Sequence, residues 1–136
     1  MANILLTGGA GYIGSHTAVE LLSVGRDVVI VDDLSNADIA VYDAIERITN
    51  RRPIVYTGDV ADRGLMERVF SEQEIETVIH FAGFKGVGES VEKPLEYYRN
   101  NLDTTFTLLE TMVLGYSAST SLTFSPRRTR PANLPV

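Results

Sequence analysis

The stretch Leu5–His16 reads LLTGGAGYIGSH, and its glycines at positions 8, 11 and 14 decide the fold. Apolar residues lead up to it in Ala2–Thr7 (ANILLT), and beyond it Ile13, Ala18, Leu21 and Leu22 recur at helical spacing until a stop at Gly25. The order is strand, glycine turn, helix. Such a turn gathers unpaired backbone N–H groups and the positive end of a helix at one point, where a pyrophosphate fits. Gly8 allows the turn, Gly11 lets the backbone reach the phosphates, and Gly14 lets the helix pack close to the sheet. The alternative is a crowded strand–helix junction that binds nothing, and the G-x-x-G-x-x-G spacing alone does not separate the two.

Working outward, Arg26–Asp33 (RDVVIVDD) carries four consecutive β-branched apolar residues, as suits a parallel strand buried on both faces. Asp32 closes that strand, where a carboxylate accepts hydrogen bonds from both ribose hydroxyls of a dinucleotide and repels a 2′-phosphate, favouring NAD over NADP. Asp32 as a helix N-cap is the competing reading, and Asp33 is either a cofactor contact or a solvated loop acid. A second helix is expected over about 38–50, where Ile39, Val41, Ile45 and Ile48 recur. Pro53 then opens a third strand, PIVYTGDV. A third helix follows in DRGLMERVFSEQ, with Asp62 as N-cap and Leu65, Met66, Val69 and Phe70 on its inner stripe. ETVIHFAG is a fourth strand. A long helix from Leu95 to Met112, opened by Pro94, shows Leu95, Tyr98, Leu102, Phe106 and Leu109 at helical spacing. Strands alternating with helices imply an α/β fold, a Rossmann-like doubly wound parallel sheet covered on both faces.

A chain of 136 residues holds one modest core, and its 44% hydrophobic and 22% charged residues are those of a soluble globular domain. No apolar run is long enough to span a bilayer, and MANILLTGG lacks the features of a secretory signal, so a cytoplasmic location is expected. The absence of cysteine excludes disulfides, thiolate catalysis and cysteine-ligated metal, and no metal site is expected. Net charge is −6, and every Asp and Glu lies at or before Glu110 while three arginines lie beyond it. So acidic a body disfavours tracking along nucleic acid.

TGGAGYIGSH, DDLSN, GDVAD and VIHFAGFKGVGESVEKPLEYYRNN together resemble the UDP-glucose 4-epimerases, a branch of the extended short-chain dehydrogenase/reductase family, over residues 2 to about 112. The resemblance implies a tightly held NAD that takes hydride from C4 of a UDP-hexose and returns it to the other face, interconverting UDP-glucose and UDP-galactose in galactose metabolism. It also implies backbone contacts of Tyr12 and Ile13 to the pyrophosphate, with Asp32, Asp33 and the residues to Asn36 around the adenosine ribose. Asp59 and Val60 would flank the adenine. Phe81, Ala82, Gly83 and Lys85 would lie beneath the pyrophosphate and nicotinamide ribose, and Asn100 on the long helix would touch the cofactor. A homodimer through helices that include the Leu95–Met112 equivalent is implied as well. His80 and His16 read as structural histidines rather than bases.

The family's base is a tyrosine acidified by a lysine four residues later. Here Tyr12, Tyr42, Tyr56, Tyr97, Tyr98 and Tyr116 are followed at that spacing by His16, Glu46, Val60, Asn101, Leu102 and Thr120, and the only lysines are Lys85 and Lys93. No catalytic residue is therefore assigned. After about residue 113 the composition turns to Ser, Thr, Arg and Pro, with at most a weak strand around Thr120–Phe124. The expected organisation is a partial NAD-binding domain over 1–113, only the N-terminal part of the fold, and an irregular tail over 114–136. Residues 113 to about 130 are read as a shifted frame or a truncated copy. Three functions compete: an inactive NAD-binding fragment of an epimerase or another NAD-dependent nucleotide-sugar epimerase or dehydratase, a free-standing nucleotide-binding module, and a chain that does not fold stably because a sheet edge stays unpaired.

Overall fold

The computed structural model describes residues 2–83 and 87–115. Its elements run β1 (Asn3–Thr7), α1 (Tyr12–Ser23), β2 (Val28–Asp32), α2 (Ala40–Thr49), β3 (Ile54–Thr57), α3 (Arg63–Glu72), β4 (Ile75–His80), α4 (Val87–Glu92) and α5 (Pro94–Gly115). The four strands form one parallel sheet in the order β3-β2-β1-β4. All five residues of β2 are buried, as its unbroken Val/Ile run requires of a strand covered on both faces.

Alternation along the strands divides the core in two. Ile4, Leu6, Val28 and Ile30 point to one face, against Ala18 and Leu22 of α1 and Tyr42 and Ile45 of α2. Leu5, Val29, Val31 and Ile75 point to the other, against Met66, Val69 and Phe70 of α3 and Leu108 of α5. Each fully buried aliphatic side chain contributes about 1.5–3 kcal/mol. Truncating Leu5, which is 0% exposed, to alanine would cost about 2–5 kcal/mol.

The helix ends follow their local chemistry. Gly25 stops α1 in the left-handed region at φ 86°, its N–H donating to the Leu22 carbonyl at 3.1 Å while Arg26 N–H donates to Leu21 at 2.9 Å. Asp62 caps α3 by accepting the Leu65 N–H at 3.1 Å. Between α4 and α5 the chain turns at Lys93–Pro94, since proline has no N–H with which to continue the helix.

Three stripes differ from the sequence reading. Ile13 is exposed, because the buried face of α1 runs through Gly14, Ala18 and Leu22 instead. On α2 the inner residues are Tyr42 and Ile45, whereas Ile39 and Ile48 face solvent. On α5 the apolar stripe Leu95, Tyr98, Leu102, Phe106 and Leu109 lies on the exposed side, while Tyr97, Thr104, Leu108 and Thr111 face the protein. α4 was not expected from the sequence. Of the expected tail over 114–136, Leu114 and Gly115 belong to α5; residues 116–136, with the weak strand at Thr120–Phe124, lie outside the described residues.

Candidate functional site

In a parallel sheet every strand ends on the same edge, and ligands bind beyond it. Here the ladder continues one bond past three strand ends: Gly8 N–H donates to Val31 at 2.8 Å, Gly58 N–H to Asp32 at 3.0 Å and Phe81 N–H to Thr7 at 2.8 Å. These bonds hold four loops side by side around one cleft. Its walls are Gly8 and Gly11 from the first loop, Asp32, Asp33, Ser35, Asn36 and Ala37 from the second, and Gly58, Asp59 and Val60 from the third. Phe81, Ala82 and Gly83 come from the fourth, and Asn100 and Thr104 from α5.

The glycine turn has the division of labour its sequence suggested. Gly8 sits at φ 69°, and a Cβ there would stand 2.7 Å from the Ala82 nitrogen. At Gly14 a Cβ would stand 2.5 Å from the Gly8 carbonyl oxygen, so both positions are closed to side chains by the protein itself. Gly11 differs. Its φ of −68° and ψ of 174° suit any residue, and a Cβ would meet only the Gly8 oxygen at 3.4 Å, an ordinary contact. Packing accounts for Gly8 and Gly14 but leaves Gly11, on the cleft wall, to be explained by what approaches from outside. The first intrahelical bond of α1 runs from Ser15 N–H to the Gly11 carbonyl at 2.8 Å, so the amides of Tyr12, Ile13 and Gly14 belong to the turn that has no partner within the helix.

Asp32, 9% exposed, is fixed by two backbone donors: Ala10 N–H on Oδ2 and Leu34 N–H on Oδ1, both at 2.9 Å. Each oxygen keeps a lone pair for a further donor. Asp32 is not a helix cap, because α2 starts only at Ala40, where Asp38 accepts the Ala40 N–H at 2.8 Å. Asp33 and Asp59 each close a tight turn, accepting the N–H of Ser35 at 2.9 Å and of Ala61 at 2.8 Å, and both face the cleft.

Of the residues expected at the site, Gly8, Gly11, Asp32, Asp33, Asn36, Asp59, Val60, Phe81, Ala82, Gly83 and Asn100 come together on the cleft. Tyr12, Ile13 and Gly14 are not among the wall residues; they follow Gly11 directly in the first turn of α1. The Tyr12 side chain is 81% exposed, with its ring 4.6 Å from that of His16. Lys85 lies outside the described residues. Sequence reasoning missed Ala37, Gly58 and Thr104. Thr104 was findable, since it lies four residues after Asn100 and so shares its helix face, its hydroxyl donating to the Asn100 carbonyl at 2.8 Å. Gly9 is not on the wall, and its lack of a side chain is a packing matter: a Cβ there would stand 2.8 Å from the buried Ile30 side chain.

Behind the cleft, Tyr42 is 2% exposed and its hydroxyl has no hydrogen-bond partner among the described residues. Burial, and then the negative charge of Asp32, push its phenol up to about 12.

Comparison with known proteins agrees with this architecture. The family model for GDP-mannose 4,6 dehydratase matches residues 5–131. The UDP-glucose 4-epimerase of Haemophilus influenzae is 53% identical over 109 residues, 80% of this chain and 32% of that protein. The epimerase uge1 of Schizosaccharomyces pombe is 48% identical over 132 residues, 94% of this chain and 37% of that protein. The chain thus spans about a third of the length of the curated relatives it matches. Among solved structures, the Bifidobacterium longum UDP-glucose 4-epimerase in complex with NAD+ and UDP superposes with a TM-score of 0.82 at 51% identity, covering 84% of this chain and 34% of that one. The Stenotrophomonas maltophila enzyme, with bound NAD and formylated UDP-arabinopyranose, gives 0.80 at 46%, covering 83% and 34%. With residues 5–131 matched to its model, the chain belongs to the GDP-mannose 4,6 dehydratase family, and the relatives it resembles there are UDP-glucose 4-epimerases.

Proposed function

We propose that this chain holds NAD in the cleft at the carboxyl edge of its sheet, as the cofactor-binding part of a UDP-glucose 4-epimerase, and does not turn over sugar by itself. The observation that carries the reading is Gly11, a glycine on the cleft wall that the protein's own packing does not demand. The first-turn amides of α1 would receive the pyrophosphate, and the helix end adds a favourable field of about 0.3–1 kcal/mol for such an anion. Asp32, already aimed by Ala10 and Leu34, would accept from the ribose hydroxyls with its remaining lone pairs and exclude a 2′-phosphate. Asp33 and Asn36 would lie beside that ribose, Asp59 and Val60 beside the adenine, and Phe81, Ala82, Gly83, Lys85 and Asn100 along the nicotinamide half. When bound, NAD supplies a hydride acceptor. The proton of the sugar hydroxyl needs a base as well, and these 136 residues contain no tyrosine with a lysine four positions on.

The exposed stripe on α4 and α5 favours a second copy as partner. Leu95, Tyr98, Leu102, Phe106, Leu109 and Val113 are 37–73% exposed and recur every three or four residues along one side of α5, and Val91 on α4 is 78% exposed. Charges of both signs, Glu96, Arg99 and Asp103, flank the stripe, as complementary pairing of two such helices requires. The cytoplasm, where NAD and nucleotide sugars meet, is the proposed location.

Calorimetric titration tests the reading. NAD should bind the 136-residue chain one to one, NADP should bind at least about tenfold more weakly, and UDP-glucose should not be converted to UDP-galactose. A folded chain that ignores NAD would overturn it.

A further inference from the structure

The last residue of β4 carries an imidazole whose two nitrogens reach different layers of the fold. His80 Nδ1 lies 2.6 Å from the Thr7 hydroxyl at the end of β1, and Nε2 lies 3.2 Å from the Thr105 hydroxyl on α5. The hydrogen inventory sets the direction of both bonds. Thr105 donates its one hydroxyl hydrogen to the Asn101 carbonyl at 2.8 Å, so towards Nε2 it accepts, and Nε2 carries the hydrogen. In the neutral ring Nδ1 is then bare and accepts from Thr7, whose oxygen also takes the Ala82 N–H in a long bond of 3.5 Å. Thr7 is 0% exposed, so its hydroxyl must find its acceptor inside the protein.

The geometry points to His80 as a positioning residue: through its Nε2–H tautomer it braces the Asn100–Thr104 turn of α5 against the ends of β1 and β4, and so sets the spacing between two walls of the cofactor cleft. Phe81, Ala82 and Gly83, which follow His80 directly, form one of these walls, and Asn100 and Thr104 form the other. The walls already meet closely where the Asn101 Oδ1 lies 3.1 Å from the place of a Cβ on Gly83. Without the brace, this turn of α5 loses a side-chain tie to that strand end, and a dinucleotide contacting both walls is held less closely by one of them. This inference rests on the NAD reading above.

Two substitutions divide the imidazole's roles. In His80→Asn an amide oxygen replaces Nδ1 and keeps the Thr7 bond only. In His80→Gln an amide nitrogen replaces Nε2 and keeps the Thr105 bond only. The brace predicts that H80Q binds NAD within about threefold of wild type, while H80N and Thr105→Val each weaken it about tenfold, the two together no further than either alone. Ring 15N spectra of the wild type should show Nε2 protonated and Nδ1 bare. A role confined to joining β1 and β4 predicts the reverse affinities, with H80N retaining NAD and H80Q losing it. Thr105→Val, nearly isosteric, keeps the question decidable if a His80 variant fails to fold. An Nδ1–H tautomer, or NAD affinity indifferent to H80N and T105V, overturns the brace alone. A folded wild type that does not bind NAD overturns the cofactor reading and the brace with it.

Discussion

The Asp32 carboxylate accepts the backbone N–H of Ala10 at 2.9 Å, joining the tip of β2 to the glycine turn that follows β1. Its other oxygen takes the Leu34 N–H at the same distance and supports Leu34 at φ 60°, a conformation that few side chains adopt. The acid expected to select the cofactor is therefore also what sets the shape of both loops around it. Asp32→Asn should reveal both roles. Whichever way the amide turns, an NH2 faces a backbone N–H, and bonds to a charged acceptor of this kind are worth about 1.5–3 kcal/mol. Urea unfolding should show a loss of that order, and NAD titration a weaker affinity with less discrimination against NADP. Unchanged stability would mean that the carboxylate does not hold the loops.

The three glycines should separate fold from ligand. Gly8→Ala and Gly14→Ala put a Cβ within 2.7 Å and 2.5 Å of backbone atoms, and thermal melts should show both destabilised, by several kcal/mol or to the point of unfolding. Gly11→Ala meets only an ordinary contact, and its melt should stay within about 0.5 kcal/mol of wild type. Its NAD affinity should nonetheless fall at least about tenfold, because the methyl group occupies the approach to the first-turn amides. If G11A binds NAD normally, the glycine serves something other than the pyrophosphate.

How much of this was legible beforehand follows from the physics of each signal. The strands, their parallel direction and the cleft at their ends were readable, because β2 is a continuous buried run and glycine at a strand–helix junction has few uses. Helix faces were less so. Periodicity shows that α5 has an apolar stripe but not whether this protein or a partner covers it, and Leu102 and Phe106 lie on the exposed side while Thr104 and Thr111 face inward. Those threonines bury their polarity by donating to carbonyls one turn earlier, Thr104 to Asn100 and Thr111 to Thr107, which no hydropathy pattern displays. The Asp32–Ala10 bond was hidden for another reason, since its donor is a backbone amide and any residue at position 10 other than proline would supply it.

Tyr42→Phe should stabilise the protein. The buried phenol hydroxyl has no partner among the described residues, and leaving such a group unsatisfied costs about 1–3 kcal/mol. The same residue predicts an alkaline limb. With its phenol raised from 10.0 to about 12 by burial and by Asp32, the folded state keeps the proton that the unfolded chain releases. The corresponding stability is complete below pH 10 and is lost as pH rises through about 12, roughly 2–3 kcal/mol in all at about 1.4 kcal/mol per pH unit. Unfolding curves between these pH values should be flatter for Y42F than for wild type, with the 295 nm phenolate signal of Tyr42 emerging only as the wild type unfolds.

The stripe on α5 predicts self-association that charge abolishes without harming the fold. Leu102 and Phe106 are 48% and 56% exposed in the single chain, so Leu102→Glu with Phe106→Glu removes little internal packing, and the melting curve of dilute protein should be close to that of wild type. Facing a second copy, the same two carboxylates would be buried among apolar side chains with nothing to pair them, at several kcal/mol each. Sedimentation velocity at micromolar concentration should find the wild-type chain dimeric and the double variant monomeric. A monomeric wild type would leave the apolar face to another partner and remove the reason for assigning it to a copy of itself.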